Sequence, residues 1–434
     1  MSQISISANF VKTALSRIDL SSVRAPLMLS LLNQMVSSGG NFLVGIYLAR
    51  TLSLEGFGLY GIGFGICMLY VGIGNAVILT QMVVNMPDKS LAEKEHYAAK
   101  MLYAVLLLGG IALALTAIAV AAASALTPGM RHLLAPVLAI SVASSLFLCN
   151  EFFISYAYLK RRESLALQVN LATMFVLFSG LAMEHFAGIA LTAEHVLLLY
   201  ALGACAGSCL AYAQSPLALR GNAHGLVADL REAWLHGRWA LGGVLVTWLQ
   251  SQAYTYVLAF FLGAAGVGRA NAARIFISPF SFLLPAINKV AIPRLADLRN
   301  TDPQKMLRIS LLLTAGLSLL VVLYSMLLLG SLEYVSTMVL GRHDARIDAL
   351  VWVWCVVLLF QMVRSGGGVL LQVQRKFRRL MLVNMPSAAI TIGLAVLLIQ
   401  WIGAAGAIWG MAAGEVVLSL LIWREIKSER ADQN

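Results

Sequence analysis

Apolar runs of about twenty residues, each closed by a short polar or basic link, recur along this chain from end to end. At 1.5 Å per residue, one such run crosses roughly 30 Å of hydrocarbon as a helix. The pattern predicts twelve spans: 26–49, 57–84, 99–126, 132–157, 166–190, 195–219, 239–262, 271–293, 307–330, 349–372, 380–399 and 402–423. Only WIGAAG separates the last two. The expected fold is an all-α polytopic membrane protein, with a segment over 1–25, six helices over 26–219, a linker over 220–238, six more over 239–423 and a tail over 424–434. The longest link contains LVADLREAWL, either a helix lying on the membrane face or a simple connector between halves. No link is long enough to hold a catalytic domain, so the chain is not expected to be an enzyme.

Composition agrees: 60% of the 434 residues are hydrophobic and 12% charged, outside the range of soluble domains. The formal charge of +11 does not point to nucleic acid, because the basic residues come in small groups between apolar runs. With a cytoplasmic N-terminus, the 31 Lys and Arg divide into 23 on internal segments, six on external ones and two inside spans, Lys289 and Arg364. A missed or invented helix in the middle would scramble that asymmetry, so both termini are expected to be cytoplasmic. The N-terminus is polar and amphipathic, and no cleavable signal is expected. The five cysteines lie in apolar runs without CxxC or ligand spacing, so they read as small hydrophobes, and no metal site is expected.

The halves carry a weak internal repeat. LARTLSLEGFGLYGIGFGI around the first break resembles FLGAAGVGRANAARIFISP around the seventh, with Gly58 opposite Gly268 at an offset of 210. YLKRRESLALQVN matches LQVQRKFRRLMLVN, placing Asn170 opposite Asn384. Each half has an even number of spans, so the repeat axis runs along the membrane normal and the halves bracket a V-shaped central cavity.

Polar residues inside spans mark the candidate site. Arg364 lies about fifteen residues into the tenth span, too deep to snorkel comfortably, at an insertion cost of about 2.5–3.5 kcal/mol. It either lines a wet cavity or partners an intramembrane carboxylate. Gly366, Gly367 and Gly368 follow, for close approach or for a loosened helix. Lys289 either faces the cavity or snorkels inward; Pro279 and Pro285 predict a bent or broken eighth span. Arg274 and Arg50 stand near outer helix ends, as interfacial residues or as the rim that receives an anion. Glu151 and Glu415 are the deep acids, charge partners or sites of proton exchange. Asn33, Gln34 and Asn41 in the first span, Gln250 and Gln252 in the seventh, and Gln361 in the tenth form either a polar vestibule or interhelical glue.

NFLVGIYLARTLSLEGFGLYGIGFGI, GAAGVGRANAARIFISPFSFLLPAINKVAIPRLADL and the basic turns after the fourth and tenth spans resemble the multidrug, oligosaccharidyl-lipid and polysaccharide exporter superfamily, most of all its polysaccharide branch of O-antigen type flippases. The resemblance implies an alternating-access carrier in the bacterial inner membrane that moves an undecaprenyl-diphosphate-linked oligosaccharide, with Lys289, Arg364 and Arg274 as cations of the central cavity. It implies membrane lipids, and a polysaccharide polymerase and glycosyltransferases, as partners, and no nucleic acid. It implies no cofactor beyond coupling to H+ or Na+. Peptidoglycan-precursor flippases carry basic residues deep in the first helix, and drug-extruding relatives an acid in the first or seventh; this chain has neither.

Overall fold

The computed structural model describes residues 20–86, 90–126, 134–217, 226–341, 343–374 and 376–433. Among them every regular element is a helix: α1 Leu20–Thr51, α2 Leu54–Asn85, α3 Leu91–Leu126, α4 Leu134–Leu159, α5 Glu163–Phe186, α6 Ala193–Gln214, α7 Leu226–Ile275, α8 Ser278–Thr301, α9 Pro303–Gly330, α10 Leu332–Leu340, α11 Ala345–Val373, α12 Phe377–Ile402 and α13 Ala404–Gln433. α2 contains one π-helical turn, Asn75–Leu79.

The breaks follow local chemistry. Ser53 accepts a hydrogen bond from the Gly56 N–H and starts α2. Asp302 and Asp344 do the same for α9 and α11, accepting from the Lys305 and Arg346 N–H groups. Gly341 closes α10 at φ 69° and Gly403 separates α12 from α13 at φ 62°, where a side chain would be strained. Gly263, at φ 68°, divides α7 into two arms and marks the seventh break. The second arm carries the start of the expected eighth span; the chain breaks again at Phe276–Ile277, and Pro279 enters the first turn of α8, where its missing N–H costs nothing. The helix continues through Pro285.

Ten described helices are long and apolar enough to cross a membrane. α1 and α8 occupy the places of the first and eighth expected spans; the amides of α1 and the charges of α8 lower their apolarity. The stretch LVADLREAWL is the first part of α7, continuous with its spanning arm, and not a separate surface helix. The 1–19 segment and 218–225 of the linker lie outside the described residues.

α3 to α6 and α1 pack as one bundle; α9 and α11 to α13 pack with α7 as the other. Packing devices repeat between them. A Cβ on Gly207 of α6 would strike Thr173 Oγ1 and the Val169 carbonyl of α5; one on Gly414 of α13 would strike Thr391 Oγ1 and the Ser387 carbonyl of α12. Gly203 and Gly410, one turn earlier, abut the carbonyls of the same two threonines. The repeat therefore pairs Thr173 with Thr391, one helical turn from the sequence match of Asn170 with Asn384.

The bundles meet mainly where α2 lies along α7. Gly58, Gly61, Gly65 and Gly72 fall on one face of α2, against Ala264, Asn271, Tyr256 and Val244 of α7. At the end of the molecule that the charge pattern makes external, the contact is reciprocal. A Cβ on Gly58 would collide with the Ala264 carbonyl, and one on Gly268 with that of Leu54. Gly58 and Gly268, and likewise Leu54 and Ala264, are 210 residues apart, so the two contacts are equivalent, as a two-fold contact requires.

Candidate functional site

Inside the first bundle is a cavity of about 350 Å³, walled by α1, α2, α4, α5 and α6. Asn33, Gln34 and Asn41 enter it from α1 and Glu151 from α4, so the structure brings four of the expected polar residues together. Hydrogen bonds hold much of the lining: Asn170 Nδ2 donates to Asn33 Oδ1 at 2.7 Å, Asn33 Nδ2 to the Tyr158 hydroxyl at 2.8 Å, and the Tyr200 hydroxyl to Asn41 Oδ1 at 2.7 Å. Phe147 lies against Tyr200 with ring centres 4.8 Å apart, and Phe64 stacks on Tyr200 at 5.9 Å, giving the cavity an aromatic side. Neither Glu151 nor its neighbour Asn150 makes a hydrogen bond or ion pair with a described residue. Among the described residues no lysine or arginine lines the space.

Asn150, Tyr158, Asn170, Tyr200, Phe64 and Phe147 were not among the expected site residues. A signal was present: Phe147, Asn150, Glu151, Ile154 and Tyr158 recur at three- and four-residue spacing, one face of α4.

The second bundle carries an ion pair in its interior. Arg364 of α11 is ion-paired with Glu415 of α13, Nε to Oε2 at 2.5 Å and Nη2 to Oε1 at 3.5 Å. Gln361 Nε2 adds a bond to Glu415 Oε1 at 3.2 Å. The carboxylate is 1% exposed and the arginine side chain 32%. Of the two roles open to Arg364, partnering a carboxylate is the one seen; it does not line the amide cavity.

α11 runs unbroken through Gly366, Gly367 and Gly368. Gly366 abuts Ser310 and Thr314 of α9, and Gly367 abuts Ile422 and Trp423 of α13, so these two serve close approach and the loosened helix is not seen. Ser310 Oγ donates to the Gly366 carbonyl, Trp423 Nε1 to that of Val363 and Ser419 Oγ to that of Phe360, pinning α11 from both sides.

Arg274 stands at the same 210-residue offset from Phe64 that relates the two facing glycines. Its Nη1 donates to the Tyr254 hydroxyl at 3.0 Å, and its guanidinium carbon lies 5.5 Å from the centre of the Trp354 ring. Arg50 is exposed at the end of α1; its Nε donates to the Val339 carbonyl at 2.8 Å and its Nη2 to that of Met338, so it caps α10 and ties the bundles together. Gln250 is buried with its Nε2 unpartnered, and Gln252 is half-buried; neither reaches the amide cavity. The Lys289 side chain lies outside the described residues. All five cysteines are free, and Cys209 is exposed, not buried as expected. Among the described residues no cluster has the makings of a metal site.

A second cavity of about 600 Å³ is apolar, with Leu31 of α1 facing Ile287, Ala291 and Leu295 of α8 and Ile309 and Leu313 of α9; exposed Arg294 is its charged member.

No family model matches the sequence, and no curated protein matches it. Solved structures do match over nearly the whole fold. An inward-facing multidrug resistance MATE family transporter of the MOP superfamily superposes with a TM-score of 0.69 at 11% identity, over 92% of this chain and 96% of that one. The lipid II flippase MurJ in an inward closed conformation gives 0.67 at 12%, over 93% and 86%. An outward-facing MATE family transporter gives 0.59 at 12%, over 92% and 94%. The chain has the fold that these proteins share, two pseudo-symmetric helical bundles.

Proposed function

We propose that the chain is a carrier that flips an undecaprenyl-diphosphate-linked oligosaccharide from the inner to the outer leaflet of a bacterial inner membrane, both termini cytoplasmic, for O-antigen, capsule or exopolysaccharide synthesis. The observation that carries this reading is the cavity of the first bundle, built from amides and aromatic rings with no cation in its wall. Amides and rings suit sugars, and an anionic group must be met elsewhere. Arg274, braced by a phenol and two ring faces with no acid bonded to it among the described residues, is the cation assigned to the diphosphate, with Arg364 as a second once it exchanges Glu415 for an anion. The apolar groove between α1 and α8 suits the hydrocarbon tail. Sugars and diphosphate reach the outer leaflet when the Gly58–Gly268 contact opens and the inner side closes. A polymerase and glycosyltransferases are the expected partners.

A second reading, an ion-coupled small-molecule antiporter or a peptidoglycan-precursor flippase, is favoured by unpaired Glu151, which suits H+ or Na+ coupling better than Glu415, already engaged by Arg364 and Gln361. Proteoliposomes separate the two. A fluorescent polyprenyl-diphosphate glycolipid in one leaflet should become accessible to a membrane-impermeant quencher only when the protein is present. Absence of exchange, together with gradient-driven uptake of small cations, would overturn the first reading in favour of the antiporter.

A further inference from the structure

We infer that the amide-lined cavity of the first bundle is a binding site for one neutral sugar ring of the transported headgroup, its C–H face on Phe64, Phe147 and Tyr200 and its hydroxyls donating to Glu151. The inference rests on the reading above that the cargo bears sugar. Three observations carry it.

The first is size. A water occupies roughly 30 Å³ of liquid, so a space of about 350 Å³ holds a polyatomic ligand and is far too large for one desolvated ion. The second is chemistry. Glu151 has no described partner, and acceptors left open inside a membrane call for a ligand that donates. Among the described residues no arginine or lysine lines the space, which argues against the diphosphate end of the lipid. Three clustered rings beside amides and a carboxylate suit a pyranose, which has C–H faces and hydroxyls. The third is preorganisation. The Tyr200 hydroxyl is fixed by Asn41, so ring orientation is set before a ligand arrives. In the second bundle Arg274 stands at the position matching Phe64 and packs on Tyr254 and Trp354, so the aromatic wall is not repeated at that position. One site per molecule is expected.

The test compares two lipids in proteoliposomes, a polyprenyl diphosphate carrying one N-acetylhexosamine and the same lipid without sugar. The wild-type protein should move the first about tenfold faster or more, and Asn150→Leu, which replaces a polar group of the cavity wall with a bulkier apolar one, should bring the ratio close to one while the sugar-free lipid still moves. Should Asn150→Leu fail to fold, Phe64→Leu takes its place, with size-exclusion and circular dichroism as the check. Equal loss of both lipids from a folded variant would overturn the inference, leaving a structural or coupling role. If the wild-type protein moves neither lipid, the carrier reading above fails, and a second arm decides the site by itself. Thermal stabilisation of the purified protein by free hexoses or N-acetylhexosamines, abolished by the variant, would sustain it; stabilisation by Na+ or by pH alone, or by nothing, would overturn it.

Discussion

Removing Arg364 should harm the fold more than removing the acid it pairs with. Glu415 is 1% exposed and is met by Arg364 at 2.5 Å and Gln361 at 3.2 Å, whereas about a third of the arginine side chain reaches the surface. Breaking a buried pair from one side costs about 3–5 kcal/mol, because the remaining charge stays desolvated. Arg364→Met keeps an unbranched apolar stem and strands the carboxylate. The Gln361 amide still donates to it, so the lower end applies, about 3 kcal/mol. Glu415→Gln leaves a guanidinium that is already partly hydrated, and its cost should be about 1–2 kcal/mol. Replacing both, Arg364→Met with Glu415→Gln, removes the buried charges together and should come within about 1 kcal/mol of wild type. The double-mutant cycle then yields a coupling of about 3 kcal/mol, well above the error of independent sites. Equilibrium unfolding in mixed micelles with increasing SDS measures all four proteins. An arginine variant no more costly than the glutamine variant, or a double variant whose cost equals the sum, would refute the reasoning and leave Arg364 free to serve as an anion site.

Gly58→Val places two methyl groups against the Ala264 carbonyl, which is backbone and cannot swing aside, so the bundles should part at that end. Spin labels at Glu55→Cys and Phe260→Cys should separate; an unchanged distance would refute the contact. Arg50→Ala removes both bonds to the last carbonyls of α10, at a cost of about 0.3–1 kcal/mol. Amide hydrogen exchange over 332–340 should quicken while the rest of the protein stays protected. Gly207→Ala and Gly414→Ala meet equivalent threonines in the two bundles, so each should cost about 1–3 kcal/mol, and sharply unequal penalties would argue against the repeat drawn from packing.

The helical fold of the chain was legible because apolar runs of hydrocarbon length are a one-dimensional signal. Gly58 and Gly268 were legible for a related reason: a two-fold contact places equivalent residues together, so the sequence match names the touching pair. Asn33, Gln34 and Asn41 share one helix and one cavity, and their clustering in sequence survives folding. Which of its two roles Arg364 takes, and with which acid, was not legible. Arg364 and Glu415 are 51 residues apart on helices that the sequence does not place side by side, and an arginine in a span has the same appearance whether water or a carboxylate faces it. Arg50 was hidden for another reason, since its acceptors are backbone carbonyls at the end of α10, which no side-chain pattern announces.

The contrast between the bundles has a mechanical consequence. α11 is held by donors from α9 and α13 to three of its carbonyls, and the Arg364–Glu415 ion pair joins it to α13 again. The first bundle keeps a polar hollow, yet its lining is braced by bonds that cross from α1 to α4, α5 and α6. Each bundle is therefore braced as a body, and the two meet along the seam of α2 and α7, where glycines bring backbone against backbone near Gly58 and Gly268. On the proposed carrier reading, access changes by parting at that seam while the sites inside each bundle keep their geometry.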